Sequence, residues 1–159
     1  MPNTIILKGR GTRKEAAAGG AIVPGMLVVF NSSGALIAHA TAKQKTAPTF
    51  AVEMENLNPK TGATAGIAGG IDDAYASGDY CQAETLYPGC QVYALVAAAA
   101  VAIAKGALVE SAGDGTVRLI TDFTDAEIDA VGGGAIARAL EAVDNSAGGA
   151  RARIRIELI

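Results

Sequence analysis

An all-β fold is predicted for this chain of 159 residues: a compact β-barrel or β-sandwich made of two pseudo-repeated strand–hairpin–strand units, with one short helix and an extended N-terminal arm. Three observations support the prediction. Two segments resemble each other at a fixed spacing, short β-branched runs end in turn residues, and the last nine residues alternate between charged and apolar side chains. Because aromatic residues make up only 4% of the chain and Trp is absent, Ala, Val, Ile and Leu must fill the core.

The repeat relates "AIVPGMLVVFNSSGAL" at 21–36 to "AIAKGALVESAGDGTV" at 102–117, with matching positions 81 residues apart. A later match, "AVE" at 51–53 with "ALE" at 139–141, has a spacing of 88 residues, so the second copy holds about seven extra residues. The two units span about 21–57 and 102–145. Each is too small to bury its own apolar face, which predicts that they pack against one another in a single domain.

Residues 1–20 are predicted to form an arm in front of that single β domain, residues 21–159. A short apolar run, Ile5–Leu7, is followed by four basic residues. Against the single Glu15 they give the arm a formal charge of +3, and the other nine basic and fifteen acidic residues give the body −6. Since the apolar run can add as a strand to a neighbouring sheet edge, we expect the arm to reach an adjacent subunit or another surface outside its own body, and a disordered tail is the alternative. The candidate assembly contacts are the apolar run with the basic residues of the arm and of the last strand: Ile5, Ile6, Leu7, Lys8, Arg10, Arg13, Lys14, Arg151, Arg153 and Arg155.

Turn residues delimit the strands of both units. Pro24-Gly25 suits a turn that starts a strand, and Asn31–Gly34 suits a hairpin loop that ends in a glycine with positive φ. Ser111–Gly115 is the matching hairpin loop of the second unit. The alanine-rich segment 94–108 would accept a helix, but we predict it as extended because its second half matches the copy that Pro24 would interrupt.

The helix is assigned to the extra residues of the second unit. Thr124 followed by Glu127 forms a capping box and Gly132 is a stop signal, which predicts a helix from about Asp125 to Val131. The terminal segment 151–158 has a period of two, which predicts a half-buried strand with its arginines on the solvated face.

Cys81 and Cys90 are predicted to be free, partly buried thiols. If the chain between them forms a hairpin that turns at Tyr87–Gly89, the two cysteines lie ~15 Å apart, beyond the ~7 Å limit for a disulfide. Free thiols are typical of a reducing compartment.

No set of residues predicts an active site, a metal site or a bound cofactor, and we expect the protein not to be an enzyme. His39 is the single histidine, and the two cysteines lack zinc-site spacing. Asp72, Asp73 and Asp79 lie among glycine and serine residues, as in turns. The glycine-rich segment 62–70 lacks the G-K-[ST] ending of a phosphate loop.

The charge and the hydrophobic pattern exclude other classes of partner. A net charge of −3 and a pI near 5.1 argue against nucleic acid, which needs a clustered positive surface. The longest apolar run, 92–104, is too short to span a bilayer, and residues 1–20 lack a signal-peptide core. We therefore expect a protein made in a cytoplasm, with neither nucleic acid nor a membrane as its partner.

An ordered series of short motifs carries a family resemblance. "AIVPGMLV", "FAVE", "IDDAYASGDY", "PGCQVYA", "AIAKGALVE", "AIARALEAVDNS" and "RIRIEL" together resemble the capsid decoration, or cement, proteins of tailed bacteriophages. The resemblance covers nearly the whole chain from Ala21 onward and rests on glycine-turn patterns rather than catalytic signatures. It implies a β-rich virion protein, made in the bacterial host cytoplasm, that binds the outer surface of an expanded phage head and stabilises it. The implied partners are the major capsid protein and the chain itself, as a homotrimer first and a homodimer second, and the arm could also reach the capsid.

Two other classes of function remain open. A soluble ligand-binding β-barrel would need a pocket lined by polar groups. A lipoyl- or biotinyl-like carrier domain would present a lysine at a hairpin tip, and the tip at Asn31–Gly34 has none.

Overall fold

The computed structural model describes residues 4–54, 70–121, 134–148 and 152–159, and within them the protein is all-β. Every regular element in these ranges is a strand: β1 (Ile6–Lys8), β2 (Gly11–Ala17), β3 (Val28–Phe30), β4 (Leu36–Ala38), β5 (Thr49–Ala51), β6 (Tyr80–Leu86), β7 (Gln91–Leu95), β8 (Ala100–Ile103), β9 (Leu108–Ser111), β10 (Val117–Leu119), β11 (Ala135–Ala139), β12 (Val143–Asn145) and β13 (Arg153–Leu158). The alanine-rich segment 94–108 contains the end of β7, the whole of β8 and the start of β9 with turns between them, so the prediction of strand instead of helix is confirmed. The predicted helix at 125–131 lies outside the described residues.

The strands form open antiparallel sheets and not the closed barrel that was one of the two predicted architectures. The largest sheet has six strands in the order β1-β7-β13-β11-β9-β10, and a second sheet has the order β2-β6-β5. Two further pairs, β3-β4 and β8-β12, complete the described part of the chain. β1 and β10 are the outer strands of the largest sheet and do not pair with each other, so this sheet has two edges.

The predicted hairpins are present and have the same register in both units. Val28 pairs with Ala38 in the first hairpin, and Val109 pairs with Leu119, each 81 residues later, in the second. The glycines that start these hairpins, Gly25 and Gly106, both have positive φ, 91° and 87°. The turn residues in the sequence therefore predicted both hairpins correctly.

The change in spacing from 81 to 88 residues also appears in the hydrogen bonds. The Gly25 amide donates to Ala51 O at 2.7 Å, and the Gly106 amide donates to Ala139 O at 2.8 Å. The donors are 81 residues apart and the acceptors 88. The extra residues of the second unit are thus accommodated between β10 and β11.

The structural repeat extends beyond the predicted boundaries. Thr49 on β5 pairs with Thr85 on β6, as Ala137 on β11 pairs with Leu158 on β13. The neighbouring strands β2 and β6 of the first unit are likewise equivalent to the neighbouring strands β7 and β13 of the second. The first unit therefore comprises β2 to β6, and the second unit comprises β7 to β13. The sequence revealed only the central part, since β2 and β7 differ at most aligned positions.

Each unit has its own apolar core, and the two cores occupy equivalent positions. The first core contains Ala18, Ile22, Val28, Leu36, Ala51, Met54, Tyr75, Cys81 and Ala83. The second contains their counterparts, among them Val96, Ile103, Val109, Val117, Ala139, Ile154 and Ile156. Leu27 and Phe50 of the first unit belong to the second core and are fully buried there. The units therefore share an interface, as expected of small sheets that cannot bury their faces alone.

The extended N-terminal arm was predicted wrongly for the described residues 4–18. Ile5 is fully buried in the second core, and its carbonyl accepts a hydrogen bond from the Tyr93 amide at 2.8 Å. β1 pairs with β7, and all seven residues of β2 pair with β6. The segment packs against its own chain because burial of the apolar run and the two strand pairings stabilise that arrangement.

The turn at Tyr87–Gly89 is present but does not form a hairpin. The Cys90 amide donates to Tyr87 O at 3.1 Å, yet β6 pairs with β2 and β7 pairs with β1. The chain thus crosses from one sheet to the other. The chain crosses between the same two sheets a second time at Gly9, which connects β1 to β2 with a φ of 92°. A Cβ at Gly9 would lie 2.4 Å from the Cys90 sulfur. Cys81 and Cys90 are both free and buried, which confirms the prediction of free thiols.

Replacing Ile5 by Ala should lower the free energy of unfolding by about 2–5 kcal/mol, because a fully buried side chain is truncated. Ile159→Ala is the matched control, since that side chain is 56% exposed and its loss should change stability by less than ~0.5 kcal/mol. Urea denaturation measures both. Equal effects would show that residues 4–8 do not belong to the folded body.

Gly25→Ala should destabilise the protein more than Gly34→Ala. Both glycines have positive φ, which costs a side chain about 1–2 kcal/mol. Only at Gly25 would the new Cβ also lie 2.9 Å from Tyr93 O and 2.5 Å from the Arg153 guanidinium, whereas nothing lies within 4 Å at Gly34. Thermal unfolding of the two variants checks the order, and similar melting temperatures would contradict the close approach.

Candidate functional site

The candidate assembly residues of the N-terminal segment differ in exposure. Ile5 is buried, Ile6 and Leu7 are half-buried on β1, and Lys8 and Arg10 are exposed. The apolar residues of this run are therefore wholly or partly buried against their own chain. The exposed basic residues lie where the chain turns from β1 into β2.

Arg13 and Lys14 lie on β2 and point to opposite faces of its sheet. Arg13 is exposed, forms an ion pair with Glu15 at 3.1 Å and donates to the side chain of Gln82 at 2.6 Å. Lys14 is half-buried on the other face. The hydroxyl of Tyr80 donates to the Glu15 carboxylate, and this hydrogen bond raises the pKa of Tyr80. β2 thus carries a mixed charged row of residues on one face.

The arginines predicted for the solvated face of the last strand have different environments. Arg153 is only 5% exposed: it donates to Pro24 O at 2.8 Å and to Ile71 O, pairs with Asp72 at 3.1 Å and lies 5.8 Å from the centre of the Tyr93 ring. This side chain joins the two units instead of facing solvent.

The other two arginines of that face are Arg155 and Arg151. Arg155 is half-exposed and pairs with Glu141 at 2.8 Å. Arg151 lies outside the described residues. The alternation itself is confirmed, since the apolar side chains of β13 are buried.

Two clefts lie on opposite faces of the sheet at β2. The apolar cleft, of about 370 Å³, is lined by Thr12, Lys14, Val28, Val29, Phe30, Thr46, Ala47, Thr49 and Thr85. The polar cleft, of about 410 Å³, is lined by Thr4, Ile6, Gly9, Arg10, Gly11, Arg13, Val52, Glu53 and Glu84. Alternate residues of β2 contribute to alternate clefts, as its period of two requires.

Exposed aromatic side chains surround the same strand. Phe30 is 48% exposed and lines the apolar cleft, and Tyr80 and Tyr87 at the two ends of β6 are 50% and 59% exposed. The Tyr87 hydroxyl is 3.2 Å from the Thr12 hydroxyl of β2. Aromatic residues are enriched at protein interfaces, and this chain has few. These residues were absent from the predicted set, although Tyr80 and Tyr87 flank a recognisable strand.

His39 lies in the junction between the two hairpins. It is 4% exposed, and its Nδ1 is 2.8 Å from the hydroxyl of the fully buried Ser111. Burial lowers the pKa of His39 below the ordinary value of 6.5. The single histidine is therefore buried and hydrogen-bonded within the chain.

The acidic residues of the loop before β6 have structural roles. Asp79 accepts a hydrogen bond from the Ala76 amide at 2.7 Å, and Asp73 accepts one from the Gly70 amide at 2.9 Å. Across the described ranges no group of three His, Cys, Asp or Glu side chains is placed to hold a metal ion. The structured parts of the chain likewise include no helix long and apolar enough to cross a membrane.

No known protein-family model matches this chain, and no curated protein is significantly similar to it in sequence.

The free energy of unfolding should fall as the pH drops below about 6.5. The pKa of His39 is lowered in the folded state, so the unfolded chain takes up a proton first and is favoured by acid. The contribution of His39 is fully present above its unfolded pKa and is lost as the pH falls through the folded pKa. Urea denaturation between pH 5 and pH 8 should therefore give a steeper pH dependence for the wild type than for His39→Gln, which cannot titrate. Parallel curves for the two proteins would contradict the assignment.

Proposed function

We propose that this chain is a structural virion protein that binds the outer surface of a tailed-bacteriophage head and stabilises its expanded form. The observation that carries the proposal is the ordered series of motifs from Ala21 onward, which resembles the capsid decoration proteins. The proposed partners are the major capsid protein and further copies of this chain. The proposed location is the outer capsid surface, after synthesis in the bacterial cytoplasm.

The described fold is compatible with this role. Two small β units, joined by a shared core and by Arg153, form a body that exposes Phe30, Tyr80 and Tyr87 on its surface. Such a body can act through contact area and valency, because many weak contacts on one lattice add up. The same reasoning supports a protein that performs no catalysis.

The exposed basic residues of the N-terminal segment supply a plausible contact with an acidic surface. Lys8 and Arg10 are exposed beside the polar cleft, while the remainder of the chain is acidic overall. Because these charges are exposed, their interactions are screened by salt. The proposal therefore includes an electrostatic part to head binding.

A ligand-binding module is the second candidate, and the apolar cleft is the observation that favours it. Phe30, Val28 and Val29 provide an apolar wall, and Lys14 with several threonine hydroxyls provides polar groups. This combination is typical of small-molecule sites. The carrier alternative receives no such support, since neither described hairpin tip, 31–35 or 112–116, contains a lysine.

Expanded heads that carry this protein should release their DNA at a higher temperature than heads that lack it. A protein that binds only the assembled lattice stabilises that state by mass action. The measurement is a thermal DNA-release assay on heads with and without added protein, together with co-sedimentation. Absence of binding, or equal release temperatures at saturation, would overturn the proposal.

The electrostatic part has its own control. Lys8→Ser/Arg10→Ser should weaken head binding and reduce its dependence on salt, whereas Lys105→Ser, on the turn before β9, should leave binding unchanged. Equal binding of both variants would exclude the N-terminal corner from the contact.

A further inference from the structure

We propose that the apolar cleft of the first unit binds the second unit of another copy of this chain, so that copies join head to tail in a ring. Within one chain, the first unit already covers the equivalent site of the second unit, and the proposed contact repeats that packing between molecules. The inference concerns the purified chain alone and does not depend on binding to a phage head.

The register of the strands gives five residues that line the apolar cleft a counterpart in the second unit. Thr12, Lys14, Phe30, Thr49 and Thr85 correspond, in the same order, to Cys90, Val92, Ser111, Ala137 and Leu158. All five counterparts are buried. The cleft itself is open within the described part of the chain, and Phe30 in its wall is 48% exposed. The same site is therefore covered in one unit and uncovered in the other.

The first unit is the part of the chain that covers these counterparts. Leu27, Phe50 and Leu86 lie in one buried apolar cluster with the four of them on or beside β7, β11 and β13. At Ser111 the contact is polar, because its hydroxyl lies 2.8 Å from Nδ1 of His39. The site that corresponds to the cleft is thus occupied by a protein surface of the same fold. This occupant favours a second copy of the chain over a small ligand.

The second unit carries the equivalent of that covering surface. Leu108, Ile120, Arg138 and Ile159 correspond, in the same order, to Leu27, His39, Phe50 and Leu86, and we call these four residues the insertion surface. The hydrogen bonds support the correspondence: the His39 amide donates to Leu27 O at 2.9 Å, and the Ile120 amide donates to Leu108 O at 3.2 Å. Ile159 is 56% exposed, Arg138 is exposed, and the other two are half-buried. The insertion surface is therefore accessible to another molecule.

The cleft and the insertion surface differ from their counterparts in matching ways. Within the chain, the polar His39 meets the polar Ser111. Between copies, the corresponding residues are Ile120 and Phe30, which are both apolar. Contact between them would cover an aromatic side chain that a single molecule exposes.

A second pair of positions changes in the opposite direction. Arg138 takes the place of Phe50 on the insertion surface, and Thr49 and Thr85 take the places of two apolar residues in the cleft. The two threonine hydroxyls lie 2.7 Å apart and keep lone pairs that accept hydrogen bonds from a guanidinium. Both sides of the proposed contact are thus more polar than the core contact within the chain, as is typical of an interface between separately folded molecules.

The charges at the contact also balance. Lys14 is the charged residue of the cleft. Glu157 lies directly opposite Arg138 across β11 and β13, so the second unit presents a carboxylate as well as a guanidinium beside the insertion surface. The Lys14 ammonium therefore meets a surface of mixed charge and not an isolated arginine.

The contact joins two different surfaces, so it is heterologous. Each copy keeps one free cleft and one free insertion surface until a ring closes. A ring of three copies would place six equivalent β units around one axis, and it corresponds to the first of the two oligomers expected from the sequence.

The first experiment places a charge on each surface in turn. Phe30→Asp in the cleft and Ile159→Asp on the insertion surface should each weaken self-association about 30-fold or more, because a carboxylate would be buried in the contact. Ala47→Asp, at another exposed position of the cleft, should act like Phe30→Asp. Val101→Asp is the matched control, since Val101 is 60% exposed and lies on neither surface. Sedimentation equilibrium measures the association, and circular dichroism should be the same for all variants.

The second experiment mixes the two single variants. The Ile159→Asp chain keeps an intact cleft, and the Phe30→Asp chain keeps an intact insertion surface. Each variant alone should be monomeric, whereas their mixture should form a dimer with one copy of each. The double variant Phe30→Asp/Ile159→Asp lacks both surfaces and should stay monomeric in a mixture with either single variant. A contact between two identical surfaces would not be recovered by mixing.

Three results would overturn the inference. They are a wild-type chain that stays monomeric at about 100 µM, self-association that both Phe30→Asp and Ile159→Asp leave unchanged, and a mixture of these variants that stays monomeric. Head binding is measured separately. A chain that assembles but binds no heads would contradict only the capsid proposal, and a monomer that binds heads would contradict only this inference.

Discussion

The insertion of Leu27 and Phe50 into the core of the second unit is the contact on which the rest of the structure depends. Both side chains are fully buried, and each contributes about 1.5–3 kcal/mol of burial free energy. Small aliphatic side chains fill most of both cores, as a sequence with few aromatic residues requires. One face of the first unit therefore packs into its own core, and the opposite face completes the core of the second unit. The packing of the two units is asymmetric, because side chains of the first unit complete the core of the second.

Polar contacts fix this junction in one geometry. The Leu27 amide donates to Gly115 O at 2.7 Å, and the Gly115 amide donates to His39 O at 3.1 Å, so that the two hairpins are joined through their backbones. Arg153 reaches from β13 to Pro24 O at the start of the first hairpin. These groups are buried and therefore costly to leave unpaired, which favours a single arrangement of the units.

The two units have diverged where their surroundings differ. The buried Val92 on β7 and Cys90 directly before it correspond to Lys14 and Thr12 on β2, which line a cleft. β1 covers the edge of β7, whereas the corresponding edge of β2 is bridged at its C-terminal end by Leu36 of β4. The exposed aromatic residues Phe30 and Tyr80 belong to the first unit, and the exposed Tyr87 directly follows it.

The sequence by itself determined the local structure. Turn glycines, β-branched runs and the strict alternation of the last strand predicted the hairpins, the extended alanine-rich segment and the burial of Ile154 and Ile156, because these features depend on neighbouring residues. The fixed spacing of 81 and then 88 residues predicted the duplication, because a repeated segment can be recognised in the sequence without knowledge of its contacts. Only the tertiary structure decided that Ile5 is buried, that Arg153 joins the units, and that β7 pairs with β1 instead of forming a hairpin with β6. Those outcomes depend on segments more than 70 residues apart in sequence, and the charge or hydrophobicity of a single strand carries no information about which distant surface covers it.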